Sequence, residues 1–420
     1  MRLGDIVEQA SETWDQGPTL FGEEFPYIEI SAVGLGNGNY STENVSLKNA
    51  PSRARMIVRE NDIIVSTTRP HRGAIACIKK EHDGYIASTG FAVLRRLKIK
   101  DVDKEYLINV LRSSIVLQQF LQRSSGGNYP AITPDEVDNV LIPLPDLSVQ
   151  KRLIKIIERS QGLRRHKLEQ ANVFLGEIEN LILSKLGINN QTNQNRHYFA
   201  VKLQQLHNNP LNVERYRNNS NNNYSNWEPI SKKVWISKSK ISPSKISSDT
   251  EWDWIRIDDI SPNPLGIDTI RTEIGKDIQG TFFEVEEGDV LLARLGPTIL
   301  NRKIVICPQL KRRTVASSEF LVLRCHSDWY PETIVWALRT TFYRDLMYSK
   351  CRGGTPSRYR LDADDFQNIP FPEIEPTVQS EIVTCVRHNI ALANRLRTEA
   401  EMLWLKAINI FEMKVITCYE

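Results

Sequence analysis

Cysteine is sparse in this 420-residue chain and never closely spaced. The six residues, Cys77, Cys307, Cys325, Cys351, Cys385 and Cys418, contain no Cys-x-x-Cys. That excludes the ligand spacing of a zinc ribbon and offers no disulfide framework; the thiols are expected to be reduced and mostly buried. No run of about 20 apolar residues is present, so no segment has the composition of a membrane-spanning helix. Met1-Arg2-Leu3-Gly4-Asp5-Ile6-Val7-Glu8 lacks the apolar stretch of a signal peptide, and a cytoplasmic location without a membrane partner is expected. The net charge is only +3, which permits a polyanionic partner without requiring one. Catalytic signatures are missing as well. There is no Gly-x-x-x-x-Gly-Lys-Ser/Thr phosphate loop, and Gly34 to Gly38 does not follow that spacing. No Asn/Asp-Pro-Pro-Tyr motif occurs, and no Glu-x-Lys follows Pro134-Asp135 or Pro145-Asp146.

What the chain does contain is a repeat. Tyr27-Ile28-Glu29-Ile30 returns as Trp254-Ile255-Arg256-Ile257, and Glu60-Asn61-Asp62-Ile63-Ile64 as Glu287-Gly288-Asp289-Val290-Leu291. Ala87-Ser88 with Phe91 to Arg95 matches Ala316-Ser317 with Phe320 to Arg324, and Leu111-Arg112-Ser113 matches Leu338-Arg339-Thr340. Gly126-Gly127 pairs with Gly353-Gly354, Ile142-Pro143-Leu144-Pro145 with Ile369-Pro370-Phe371-Pro372, and Val149-Gln150 with Val378-Gln379. The order never changes and the offset stays at 227 to 229 residues, so the chain is a duplicated unit.

Each copy opens with short β-branched and aromatic runs bounded by turn residues, which predict strands: Pro26 to Ser31, Asp62 to Thr67, Gly73 to Ile78 and Phe91 to Leu97 in the first. One helical stretch follows, Lys104 to Leu121 and Pro331 to Met347, then a Gly-Gly loop and a short proline-flanked strand. The period then changes. Val149, Leu153, Ile156, Ser160 and Leu163, and after a slip Phe174, Ile178, Leu181 and Leu186, follow heptad spacing. In the second copy Val378, Ile382, Cys385, Asn389, Leu392, Leu396, Leu403, Ala407 and Ile410 do the same. A run of 35 to 40 residues makes a helix of roughly 55 to 60 Å. Such a helix can pack on its own domain or pair with its duplicate, and two equivalent seams favour pairing. Ser160 and Asn389, polar and equivalently placed, either fix the register of an antiparallel pair or are tolerated at frayed spots. The asparagine-rich runs between the copies predict linkers around an apolar island, Tyr198 to Leu206. The expected organisation is therefore a β-rich domain 1–147, a helix 148–187, a linker 188–226, a second β-rich domain 227–375 and a second helix 376–420. The class is α+β.

A Gly-rich loop, an Ile-Pro-Leu-Pro strand, a nearby Gln and a long heptad helix, all occurring twice, resemble the specificity subunits of type I restriction-modification systems. The resemblance covers nearly the whole chain and is strongest over Gly126 to Gln150 and Gly353 to Gln379. Leu211-Asn212-Val213-Glu214-Arg215-Tyr216 also looks like the lead-in segment such proteins carry before a recognition domain, whereas the first copy starts abruptly at Arg2-Leu3-Gly4-Asp5. The resemblance implies two target-recognition domains reading the halves of a split double-stranded DNA site, with antiparallel helices setting their spacing. It further implies two methyltransferase subunits as partners and, through them, a restriction/translocase subunit. It places S-adenosylmethionine, ATP and Mg on those partners, leaving this chain without cofactor, metal or catalytic role. An adaptor binding proteins through both β-rich domains, and an enzyme with a site built across the copies, are the competing readings.

Contacts to phosphates need cationic, hydroxyl or amide groups, and base edges are best read by Arg, Lys, Asn or Gln on loops. The densest such loop in the first copy carries Thr67, Thr68, Arg69, His71 and Arg72; its counterpart carries Arg294, Thr298, Asn301, Arg302 and Lys303. The Gly-Gly loops add Ser125, Asn128 and Tyr129 in the first copy, and Arg352, Thr355, Ser357, Arg358 and Tyr359 in the second. Each of these loops can alternatively be a solvated turn, and the Gly pairs can serve only to leave the preceding helix. Gly34 to Tyr40 reads more readily as a flexible turn than as a third contact loop.

Overall fold

A computed structural model describes residues 1–17, 20–188, 226–246, 249–261, 266–267 and 269–417. The expected linker, apart from Ile188 and Asn226, lies outside the described residues, as do the apolar island, the lead-in segment and Cys418. The chain divides into two compact units, 1–168 with 397–420, and 169–396, so both long helices contribute to both units.

In the first unit the run Ile63-Ile64-Val65-Ser66 is buried along its whole length and forms the middle of a four-stranded antiparallel sheet. Phe91–Leu97 and Ile75–Cys77 flank it, and Val7–Ala10 closes one edge. Strand periodicity sends alternate residues to opposite faces. Ile63 and Val65 accordingly join Tyr106, Leu107 and Phe120 of the following helices in one core. Ile64 joins Ile28, Val58 and Ala87 in another, beneath a second sheet of Glu43–Ser46, Glu24–Ile28, Ile86–Ser88 and Ala54–Ile57. A strand apolar on both faces is what a middle layer between helices and a second sheet requires. The second unit repeats the arrangement. Val290–Ala293 is central, with Val290 and Leu292 facing the helices and Leu291 and Ala293 facing a five-stranded sheet. Each second sheet contains one parallel pair, Tyr27 with Ile86 and Trp254 with Val315.

The single helix expected before each Gly-Gly loop is two helices, Lys104–Leu111 with Ser114–Arg123, and Pro331–Arg339 with Thr341–Lys350. Ser113 and Thr340 leave the helical conformation, and the Thr340 hydroxyl accepts from Tyr343 N at 3.4 Å as the cap of the next helix. A hydroxyl residue inside an apolar periodic stretch is the signal that the simple period hid.

The long helices run Leu147–Lys185 and Pro376–Thr417. In the first unit Ser160 Oγ donates to Leu403 O at 3.1 Å, Arg164 pairs with Glu401 at 2.7 Å and Lys167 with Glu399 at 2.6 Å. In the second, Asn389 Nδ2 donates to Phe174 O at 3.3 Å and Lys185 pairs with Glu381 at 2.6 Å. Numbers rise along one helix as they fall along the other, so the pairing is antiparallel. Ser160 and Asn389 make the same cross-helix bond at equivalent places and supply the register device. The slip expected after Leu163 is absent. The buried line is Leu153, Ile157, Ser160, Ala171, Ile178 and Ile182, facing Ile382, Val386, Ala393, Ala400, Ala407 and Phe411. It passes between Ser160 and Ala171 through Arg164 and Lys167, whose charges hide it from a hydrophobicity count. Leu163, expected on the seam, is 44% exposed, and Cys385 lies outside it on the surface.

Each long helix is tied to the domain before it by a buried glutamine. Gln150 Oε1 accepts from Asp103 N (2.8 Å) while its Nε2 donates to Asp101 O (2.9 Å) and Pro145 O (2.7 Å). Gln379 repeats the set with Tyr330 N, Asp328 O and Ile374 O. Among the described residues no helix is long and apolar enough to cross a membrane.

Candidate nucleic-acid interface

In each copy the two loops chosen from composition lie side by side. Thr68 bridges Ala131, and Ser125 bridges the same residue; in the second copy Leu295 and Arg352 both bridge Arg360. The backbone bonds match one by one. Thr67 N donates to Gly90 O (2.8 Å) as Arg294 N does to Glu319 O (3.0 Å). Arg69 N donates to Pro130 O as Gly296 N does to Tyr359 O, both at 2.7 Å. Ile132 N donates to Thr67 O as Leu361 N does to Arg294 O, both at 2.9 Å. Thr67 therefore corresponds to Arg294, Arg69 to Gly296 and Tyr129 to Arg358.

The first loop of each pair is more ordered than a solvated hairpin. Pro70–Arg72 forms a 3-10 turn and Gly296–Leu300 a short helix, both started by a proline near the first position. The Gly-Gly loops are closed hairpins. Gly126 sits at φ +95°, and a Cβ on Gly353 would lie 2.5 Å from Arg358 O, so these glycines serve the closure of the loop itself. Gly34 to Tyr40 is also a turn, with Gly34 N bonded to Asn39 O and Asn39 N to the Asn37 side chain.

Charge separates the candidates. Arg294 reaches Asp362 (3.3 Å), Arg302 pairs with Glu179 (3.2 Å) and Arg352 with Asp365 (2.9 Å), while Lys303 Nζ donates to Ile257 O (3.0 Å). Arg360, the last residue of the Gly-Gly loop in the second copy, pairs with Glu319 at 2.8 Å. Thr298 turns its hydroxyl inward to Leu295 O at 2.7 Å. By contrast Arg69, Arg72 and Arg358 have no carboxylate partner among the described residues, and Arg72 and Arg358 are exposed. Around them stand exposed Ser125, Asn128, Tyr129, Thr355 and Ser357, and half-buried Thr67, Thr68, His71 and Tyr359. Asn301 is exposed at the end of its short helix. His71 Nδ1 and Arg294 Nε are buried without a hydrogen-bond partner. The surface of each loop pair thus offers hydroxyls, amides and unneutralised guanidinium groups.

Arg69 has φ +48° and ψ +50°, a left-handed conformation that costs a non-glycine residue roughly 1–2 kcal/mol. The contacts of its backbone amide and side chain hold it there. Behind the loops, Arg112 donates from Nε and Nη2 to Ile75 O (3.2 and 3.0 Å), and its equivalent Arg339 donates to Arg302 O (2.7 Å). Burial lowers the pKa of both, that of Arg339 to about 10, which leaves the charge in place at neutral pH. Two further contacts match between copies: Glu412 accepts from Ser114 N (2.6 Å) and Glu179 from Thr341 N (2.5 Å), each placing a carboxylate at a helix N-terminus. Burial pushes the Cys307, Cys325 and Cys351 thiols up to about 12, so these three stay protonated at neutral pH.

Residues 1–172 match the family described as type I restriction modification DNA specificity domain. The specificity subunit of the type I restriction enzyme HindI from Haemophilus influenzae is 28% identical over 159 residues, 37% of this chain and 33% of that protein. The match therefore spans about a third of the curated relative. A solved structure from work on complex assembly and conformational transition of the type I R-M system superposes with a TM-score of 0.58 at 20% identity, over 100% of this chain and 97% of that one. That likeness concerns the fold, and it extends through the second copy.

Proposed function

We propose that this chain, which belongs through residues 1–172 to the type I restriction modification DNA specificity family, reads a bipartite, asymmetric DNA site without catalysing a reaction itself. The observation that carries the reading is the duplicated loop pair. Matching backbone hydrogen bonds present Arg69, Arg72, Asn128 and Tyr129 in one copy, and Thr355, Ser357 and Arg358 in the other. Equivalent scaffolds with different side chains suit two readers of unlike half-sites, because phosphate contacts position a protein while base contacts specify. The antiparallel helices, about 59 and 63 Å long at 1.5 Å per residue, would set the separation of the half-sites and dock two methyltransferase subunits. S-adenosylmethionine, ATP and Mg would then belong to the partners, the last two to a restriction/translocase subunit reached through the complex.

The test is duplex binding by the full chain with its methyltransferase partners across a salt series. Affinity for a preferred sequence should exceed that for random duplex, and both should fall as salt rises, by about one log-log unit for each phosphate contact. Binding that ignores sequence, or that does not respond to salt, would contradict the proposal.

A further inference from the structure

We propose that Arg69, held against Tyr129, is the side chain through which the first unit recognises a guanine in its half-site; this rests on the DNA-reading function above. Its guanidinium carbon lies 4.2 Å from the centre of the Tyr129 ring, and Tyr129 is 70% exposed. The stack is therefore at the surface. Nη2 donates to Asn128 O at 3.2 Å, the single hydrogen bond its guanidinium makes among the described residues. Nε–H, both Nη1–H groups and the second Nη2–H stay available. The other candidate arginines in ion pairs, Arg294, Arg302 and Arg352, would have to give up a carboxylate before meeting a base. Arg69 gives up none.

Guanine presents O6 and N7 to the major groove as two adjacent acceptors, and the planar fork of arginine matches them with two parallel N–H groups. Stacking fixes the plane of that fork in advance, so less side-chain freedom is lost on binding. The left-handed backbone at Arg69 (φ +48°) points the same way, since the loop holds an unfavourable conformation with an arginine in it. The device is not duplicated. The second copy has Gly296 where Arg69 stands and Arg358 where Tyr129 stands, so the second half-site must be read differently.

The experiment uses the full chain with its methyltransferase partners and a duplex library randomised one base pair at a time through the recognised motif. Arg69→Gly and Arg69→Ala are compared with wild type, and Tyr129→Leu removes the ring while keeping apolar bulk. Arg69→Gly guards against misfolding, because glycine occupies the equivalent place in the second copy and relaxes the φ requirement. At one G·C pair of one half-site, both Arg69 variants should lose discrimination by about 5- to 150-fold. Tyr129→Leu should lose part of it, and the other half-site should stay as strict as before. An unchanged motif, a relaxed pair that is A·T, or weaker binding spread evenly over all sequences would overturn the proposal. A wild-type complex with no sequence preference would overturn the DNA-reading function along with it.

Discussion

Gln150→Leu tests the tie between domain and helix. The glutamine side chain is wholly buried and makes three hydrogen bonds of 2.7 to 2.9 Å, to Asp103 N, Asp101 O and Pro145 O. Leucine has similar bulk but no polar atom, so one amide and two carbonyls lose their partner. The three groups sit on exposed Asp101 and half-buried Asp103 and Pro145, so each costs about 1–2 kcal/mol, the lower part of the range for an unsatisfied group, and roughly 3–6 kcal/mol together. The added apolar surface returns about 1–2 kcal/mol, and the net expectation is a loss of about 2–4 kcal/mol. Urea unfolding followed by hydrogen exchange would measure it. Amides of Leu107 to Leu111 should lose protection, while the equivalent Ile334 to Leu338 in the second unit should not. Gln379→Leu should reverse that pattern, and the two effects should add within about 0.5 kcal/mol because they lie in different units. A loss below about 1 kcal/mol, or equal deprotection of both units, would refute the claim that these glutamines tie each helix to its own domain.

Thiol chemistry offers a second check. Iodoacetamide at pH 7.5 should label exposed Cys385 well before Cys307, Cys325 and Cys351, whose pKa values burial raises to about 12; peptide mapping that finds any of those three first would contradict the packing. Glu12 is held below its ordinary value of 4.5, first by its hydrogen bond to Arg59 and further by Arg95. Its contribution to stability is thus present above that value and lost as pH falls through the depressed one. Glu12→Gln should lower the urea midpoint at pH 7, with the difference closing as pH falls through the depressed value, and a pH-independent difference would rule out the ionic origin. Removing one heptad from the middle of both long helices shortens each by about 10 Å, close to 3 base pairs. The spacer of the recognised motif should contract accordingly, and an unchanged spacer would remove the helices from the measuring role.

Much of this was legible in the sequence because the duplication made each feature visible twice. Ile63 to Ser66 and Val290 to Ala293 read as strands from β-branched runs between turn residues, and the loop candidates fell where the folded chain brings two loops together. Three things were hidden, each for a physical reason. Ser113 and Thr340 leave the helical conformation, Thr340 capping the next helix and Ser113 turning its hydroxyl back to Val110 O, which a count of apolar residues passes over. Arg164 and Lys167 sit along the helix pairing but carry charge, so the seam seemed to slip where it does not. Arg294, Arg302 and Arg352 resembled free contact residues because their carboxylate partners are distant in sequence, from Asp365 thirteen residues after Arg352 to Glu179 far upstream of Arg302.

The central claim is that two structurally equivalent but chemically different readers address one DNA site. Sequencing of methylated adenines in cells carrying this chain and its methyltransferase partners tests it most directly. The account predicts one motif of two short, unlike specific blocks separated by a fixed unspecific spacer, altered in one block only when residues of one loop pair are changed. A single continuous motif, two identical blocks, or methylation independent of this chain would contradict it.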